Sequence, residues 1–340
     1  MNILFRVDAH AEIALGHLNR CINLAESLIE YGHSIFFISY NDPAAKSLLS
    51  KTRFEYQLIP FKVNDLKDKF GEFSILEKIS NKINLILVDS YNVDKNYFFF
   101  LKNKFRYISY LDDMNLNFDV DLVINPSCTV KKYSYMAKNI LSGIEYVILG
   151  KEYSKDYNKI IKSKINTMLI TLGGVDHYNI SSRCVPIIEN ISPDIELNII
   201  IGPYYDNIDL IKDVAKNSSL KINLIENTTN ILPIILKSDI AITAGGFTSF
   251  ELAALATPSI GIALWKNQYN NIDCLSREGA LIPLYYPKIK NFDKALSKEI
   301  HKLIYDEGLM INMSKKAKEI VDGKGSDRIS AKITEFYEEK

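Results

Sequence analysis

The stretch NILFRVDAHAEIALGHLNRCINLAESLIE, residues 2–30, decides the fold. NILFRV reads as a buried strand. Residues 17–31 then bring Leu18, Ile22, Ala25, Leu28 and Ile29 onto one face at the period of an amphipathic helix. A strand feeding a helix opens a βα unit. EIALGHLNRC, residues 12–21, sets Gly16 and His17 at the joint. Open α/β sheets bind ligands at the carboxyl ends of their strands, so a histidine there is a candidate for chemistry as well as for ordinary packing.

Outward from this unit, the alternation continues. HSIFFISY, FEYQLIP, INLILVDS, YISYLDD and DLVINPS read as further strands. They are continuous apolar runs, the pattern of a parallel sheet covered on both faces. GKEYSKDYNKIIKSK, residues 150–164, is polar and lysine-rich and reads as a linker. A second series follows in TMLITLGG, IELNIIIG, LKINLIE, SDIAITAGG, PSIGIAL and ALIPLYY, with helical segments at 246–256 and 268–279. Residues 293–340 are charged and helical, broken by DGKGS at 322–326. The expected architecture is α/β: two Rossmann-like domains, 1–155 and 156–340, facing one another across a cleft, with the last helix a candidate to cross back onto the first.

Lys+Arg and Asp+Glu number 41 each, so no global charge draws the chain toward nucleic acid or an anionic membrane. No window approaches the roughly 20 apolar residues that span a bilayer. Cys21, Cys128, Cys184 and Cys274 are scattered without C-x-x-C spacing and read as reduced thiols. These features lead to the expectation of a cytoplasmic protein without membrane or nucleic-acid partners.

ITLGGVDHYN places Gly173 and Gly174 after one strand, and ITAGGFTSFELAAL places Gly245 and Gly246 after another. A glycine pair before a helix amino terminus lets backbone N–H groups approach a phosphate without a Cβ in the way. Thr248 or Ser249 can cap that helix, and Glu251 in its first turn can accept from ribose hydroxyls. Tight βα turns needing glycine for geometry alone are the plainer reading. GxGxxG and the P-loop are absent, which argues against a dehydrogenase or an NTPase, and no HExxH-type cluster suggests a metal. In the first half, His10 could face the cleft and His33 reads as a surface or capping residue. A ring at position 17 lies where helix dipoles disfavour the imidazolium, as a general base requires. Asp89, Tyr91 and Asp94 in VDSYNVD, and Asp112 and Asp113 in YLDDM, follow strands; capping is as good an account of these carboxylates as chemistry.

FRVDAHAEIALGHLNRCINLA resembles the opening of the UDP-sugar hydrolases of the PseG and SpsG-like group. ILVDSYNVD, YLDDM, LVINPS, EYVILGKEY, LITLGGVDHYN and ITAGGFTSFELAALATPSIGIALWKNQ follow in that group's order, covering about residues 1–280. The resemblance implies a GT-B-type fold and metal-independent hydrolysis of a UDP-linked diacetamido-trideoxyhexose, releasing UDP and the free sugar for pseudaminic-acid-type synthesis, with no cofactor. It implies His17 as the catalytic residue, with Tyr91 and Asn267 at the group's tyrosine and asparagine positions. Gly173, Gly174, Gly245, Gly246, Thr248 and Glu251 would meet the uridine diphosphate. Asp8 would orient water or sugar with Tyr91 and Asn267; Arg6, Gly16, Ser249 and Gln268 complete the expected substrate contacts. Two departures stand out: Ala14 replaces the first glycine of G-x-G-H, and Gly150 stands where relatives usually carry arginine.

The expected chemistry is single displacement: His17 takes a proton from a water that attacks the anomeric carbon with inversion. A glycosyltransferase on the same scaffold is the close alternative, and a hydrolysing UDP-sugar 2-epimerase a third. A nucleotide-sugar-binding protein without turnover is the alternative of another class. The sequence leaves the oligomeric state open, a monomer included.

Overall fold

The computed structural model describes residues 1–10, 15–60, 70–126, 135–202, 204–226, 228 and 230–338. The chain forms two units, Met1–Lys151 with Lys324–Lys340, and Glu152–Gly323.

The first unit is built on seven parallel strands: β1 (Asn2–Val7), β2 (Ser34–Tyr40), β3 (Glu55–Ile59), β4 (Leu85–Asp89), β5 (Tyr107–Leu111), β6 (Leu122–Asn125) and β7 (Asn139–Ser142). Their order is β3-β2-β1-β4-β5-β6-β7. Helices α1 (Gly16–Glu30), α2 (Pro43–Leu49), α3 (Phe70–Ile79) and α4 (Lys95–Lys102) connect the strands up to β5. Successive strand residues go to opposite faces. Phe5, Val7, Leu85 and Leu87 join Leu18, Cys21 and Leu24 of α1 in one core, while Leu4, Ile86 and Val88 join Tyr97, Phe98 and Leu101 of α4 in another. The chain runs from β1 outward to β3, then returns to β4 beside β1. That pair is the topological switch point, where open sheets bind ligands.

The second unit repeats the pattern with β8 (Thr167–Thr171), β9 (Glu196–Ile201), β10 (Ile222–Glu226), β11 (Ile240–Ala244), β12 (Ser259–Ala263) and β13 (Ile282–Tyr285), ordered β10-β9-β8-β11-β12-β13. Its switch point lies between β8 and β11. Helices α5 (Ile180–Ile191), α6 (Ile208–Asn217), α7 (Leu232–Lys237), α8 (Phe247–Ala254), α9 (Lys266–Arg277), α10 (Phe292–Tyr305) and α11 (Glu307–Ile320) complete it.

The last helix, α12 (Gly325–Glu338), belongs to the first unit. Ile329, Ile333 and Tyr337 enter the core shared with α1, and Thr334 Oγ1 lies 2.8 Å from His33 Nε2. His33 is therefore a buried tie to this helix, not a surface residue. The boundary after Lys151 lies four residues before the expected one. Strand β7 was not expected; its four residues are half buried, too short for a period to show.

Cys21 and Cys184 are free and buried, but Cys274 is disulfide-bonded. The expectation of four reduced thiols fails there because pairing follows distance in space, which sequence spacing does not reveal. Among the described residues no helix is long and apolar enough to cross a membrane.

Candidate active site

His17 lies in the first turn of α1, at the carboxyl ends of β1 and β4. The register pairs Val7 with Asp89, and Asp89 shares the strand face of Leu85 and Leu87, which pack on α1. Its carboxylate therefore meets α1. His17 Nδ1 is 2.6 Å from Asp89 Oδ1. Arg20, one turn on, grips the same carboxylate twice, through Nε to Oδ2 at 2.5 Å and through Nη2 to Oδ1. Burial alone pushes the Asp89 carboxyl up, but the Arg20 charge and then the His17 contact outweigh it and hold the group well below the usual carboxylate range. An ionised Asp89 accepts the Nδ1 proton, so the neutral imidazole keeps its lone pair on Nε2. No hydrogen bond links Nε2 to another described residue. Arg20 Nη2, 3.0 Å from Nδ1, is a second donor to the same oxygen rather than a partner of the ring.

Arg20 Nη1 donates to Asp113 Oδ2 at 3.1 Å, and the Tyr91 hydroxyl donates to that same oxygen at 2.9 Å. The Tyr91 ring stands edge-on to His17, centroids 4.6 Å apart at 85°. Asp89, Arg20 and Asp113 thus fix both the tautomer and the orientation of the imidazole. The signal for Asp89 was its phase in β4, and the signal for Arg20 its i+3 spacing from His17, which puts both side chains on one helix face. At Gly16 a Cβ would meet no atom of the described residues within 4 Å. Ala14 lies outside the described residues.

Arg6 and Asp8 do not join this group. They have the phase of Leu4, on the sheet face opposite α1. Arg6 forks onto Glu72 of α3 through Nε at 2.6 Å and Nη2 at 3.0 Å, and donates to Asp8 Oδ1 at 2.5 Å and to the Tyr40 hydroxyl at 2.8 Å. Asp8 also accepts from Ser90 Oγ at 2.5 Å and Asn92 Nδ2 at 3.3 Å. Both are buried. The expectation that they contact water or substrate gives way to a scaffold role, because strand alternation turns them inward. His10 is buried edge-on to Tyr40. Asp94 caps α4 through the Tyr97 amide at 2.8 Å, and Asp112 accepts from the Tyr135 hydroxyl and the Met114 amide.

In the second unit the two glycine pairs flank the β8–β11 switch point. Gly173 has φ +88°, a conformation costly for other residues. Asp176 caps α5 through the amides of Ile180 and Ser181 at 2.9 and 2.8 Å, which anchors the loop. The second pair divides its labour. A Cβ on Gly245 would lie 2.7 Å from Ile272 and 2.9 Å from Gln268, so this glycine admits α9, whereas a Cβ on Gly246 would meet nothing within 4 Å. Gly246 is the N-cap of α8, without a side-chain cap. Ser249 is buried and back-bonds to the Gly246 carbonyl at 2.7 Å, so it seals the turn instead of offering its hydroxyl to a ligand. The Glu251 carboxyl is raised by burial and bonds the Thr248 hydroxyl and that of Tyr153, a distant neighbour that sequence could not supply. Gln268 Oε1 accepts from the Leu264 amide at 2.9 Å, and Asn271 Nδ2 donates to the Gly245 carbonyl at 2.9 Å. Gln268 thus ties α9 to its own strand, while Asn267 is exposed.

The comparisons agree with this architecture. Residues 169–328 match the glycosyltransferase family 28 C-terminal domain. Acinetobacter baumannii MurG superimposes with a TM-score of 0.69 at 13% identity, covering 98% of this chain and 99% of that one. The spinosyn forosaminyltransferase SpnP gives 0.70 at 10%, covering 99% of each. The fold is that of the GT-B glycosyltransferases. Within it, the chain is similar at low identity to the PseG and SpsG-like group. It is 21% identical to the Bacillus subtilis spore coat polysaccharide biosynthesis protein SpsG over the full length of both. It is 22% identical, over 84% of this chain and 100% of the relative, to the Campylobacter jejuni UDP-2,4-diacetamido-2,4,6-trideoxy-beta-L-altropyranose hydrolase. An uncharacterized Methanocaldococcus jannaschii protein is 24% identical over 79% of this chain, which spans only 56% of that longer relative.

Proposed function

We propose that the protein acts on a nucleotide sugar and hydrolyses a UDP-linked amino sugar at its anomeric carbon. The observation that carries this reading is the His17 imidazole, whose Nδ1 is held by an ionised Asp89 so that Nε2 stands ready to take a proton. Nε2 draws the proton from a water, and the water oxygen bonds to the anomeric carbon as the bond to the UDP oxygen breaks. UDP leaves with the electron pair, and the sugar emerges inverted. The imidazolium formed is balanced by Asp89 and, through Arg20, by Asp113. The open Gly246 turn and the amino terminus of α8 are suited to a diphosphate, and the exposed Asn267 to a sugar substituent. UDP is a good leaving group, so positioning of water and stabilisation of charge account for the catalysis. Similarity to the Campylobacter hydrolase favours water as acceptor, and it makes a diacetamido-trideoxyhexose the substrate to try first. On that reading the product feeds synthesis of a pseudaminic-acid-type sugar for a surface glycoconjugate.

The transferase reading draws support from the family 28 domain and the MurG likeness. Incubation with UDP-linked diacetamido-trideoxyhexoses, with no acceptor added, separates the two. Hydrolysis gives UDP and free reducing sugar, whereas a transferase gives turnover only with an acceptor hydroxyl.

A further inference from the structure

The chain has one tryptophan, Trp265. It ends the turn after β12 and precedes α9, and 48% of it is exposed. Tyr178, from the turn after β8, lies beneath it with ring centroids 5.6 Å apart at 37°. Tyr286, after β13, lies 4.7 Å beyond Tyr178. Both tyrosines pack on the hydrophobic core of the unit, so the indole rests on a supported bed and cannot swing inward to hide its outer surface. His177, whose Nδ1 is 2.9 Å from Asp206 Oδ2, stands at the rim with its ring 6.2 Å from the indole. Two residues past the tryptophan, in the first turn of α9, the exposed Asn267 offers an amide. All of this lies at the carboxyl end of the second sheet, the end that carries the open Gly246 turn.

A flat apolar surface bordered by an amide and an imidazole is complementary to a pyranose with one face of C–H groups and acetamido substituents at its edge. A nucleobase would also stack on an indole, and titration with UDP separates the two. The amide next to the indole suits hydroxyl and acetamido groups spaced around a sugar. We propose that Trp265, backed by Tyr178, is the platform for the sugar ring of the nucleotide-sugar substrate. This rests on the reading that the second unit binds a UDP-sugar, and it adds the residue that carries the sugar ring.

Emission from the single tryptophan reports on that surface alone. The experiment uses the full chain carrying His17→Asn, which blocks turnover, titrated with UDP and with the diacetamido-trideoxyaltropyranose conjugate of UDP. The sugar conjugate changes the emission saturably and UDP alone does not. By calorimetry, Trp265→Ala weakens the conjugate by about three- to tenfold and leaves UDP within about twofold, and Trp265→Phe recovers most of the loss. The platform is overturned if UDP or uridine moves the emission as far as the conjugate does, which would seat the base there, or if Trp265→Ala leaves the conjugate's affinity unchanged. If UDP binds and the sugar adds nothing, the platform falls and the nucleotide reading stands. If neither ligand binds, the nucleotide reading falls and takes the platform with it.

Discussion

The imidazole of His17 is defined by what holds its other nitrogen. With Asp89 ionised, the ring has one available tautomer, and Arg20 and Asp113 set the charge around it. One cation stands against two carboxylates, so taking up a proton moves the cluster toward neutrality. His17→Asn should lower UDP release by about 10²–10⁴ with UDP affinity unchanged, read by single-turnover kinetics and calorimetry. Asp89→Asn should do harm twice. It loses the tautomer control, so kcat falls, and it leaves the buried Arg20 without its main counter-charge, which costs about 3–5 kcal/mol in denaturant unfolding. Asp113→Asn should be milder in both, because Asp113 is partly exposed. An Asp89 variant with unchanged kcat would refute the positioning role. Much of this site was legible in the residues: His17 at the strand–helix joint and Tyr91 past the fourth strand both lie in it. Arg6 and Asp8 misled because a strand's face is fixed by what packs on it, and Glu72, the partner of Arg6, is more than sixty residues away.

At the scale of elements, the Gly245–Gly246 pair joins a glycine packed against α9 to one with room for a Cβ. Gly245→Ala forces a methyl against α9 and should destabilise by about 1–3 kcal/mol, with binding disturbed only as far as the fold is. Gly246→Ala has room and an ordinary φ of −86°. It should leave the melting temperature unchanged and weaken UDP, and loss of stability there with binding intact would reverse this assignment. Helix α12 is the other informative element. Ile329 and Ile333 are fully buried against the first unit, so Ile333→Ala should cost about 2–5 kcal/mol. Hydrogen exchange should show that loss in β1 and α1, while β8–β13 are spared. The charged, helical C-terminal stretch was legible, and its last helix was a candidate to cross back, but an apolar stripe specifies burial without naming the partner. Likewise the GG pairs were visible as strings, whereas their separate jobs depend on α9 packing that no local pattern encodes.

For the whole molecule, the sequence disclosed the two strand–helix series, because parallel strands buried on both faces are apolar runs that need no partner to be recognised. The second sheet repeats the order of the first six strands of the first sheet, and each unit has its own switch point. Acid should undo both units. Asp89 in the first unit is held below its ordinary range against the pull of burial. In the second unit so is Asp239, with Lys162 and the amides of Asn166 and Thr167 as its partners. A carboxyl whose folded pKa is depressed stabilises above its unfolded value, near 3.9, and loses that contribution as pH falls through the folded one. Melting curves should therefore show stability falling below about pH 4. Asp239→Asn should destabilise at pH 7 and approach the parent chain once Asp239 of the parent is protonated.

The most direct test of the central claim is turnover of the UDP-linked diacetamido-trideoxyhexose in H₂¹⁸O without acceptor, sampled early by mass spectrometry. UDP free of label and a released sugar carrying ¹⁸O at its anomeric carbon are expected, both lost with His17→Asn. Label in the phosphate of UDP, or no release until an acceptor is supplied, would contradict it.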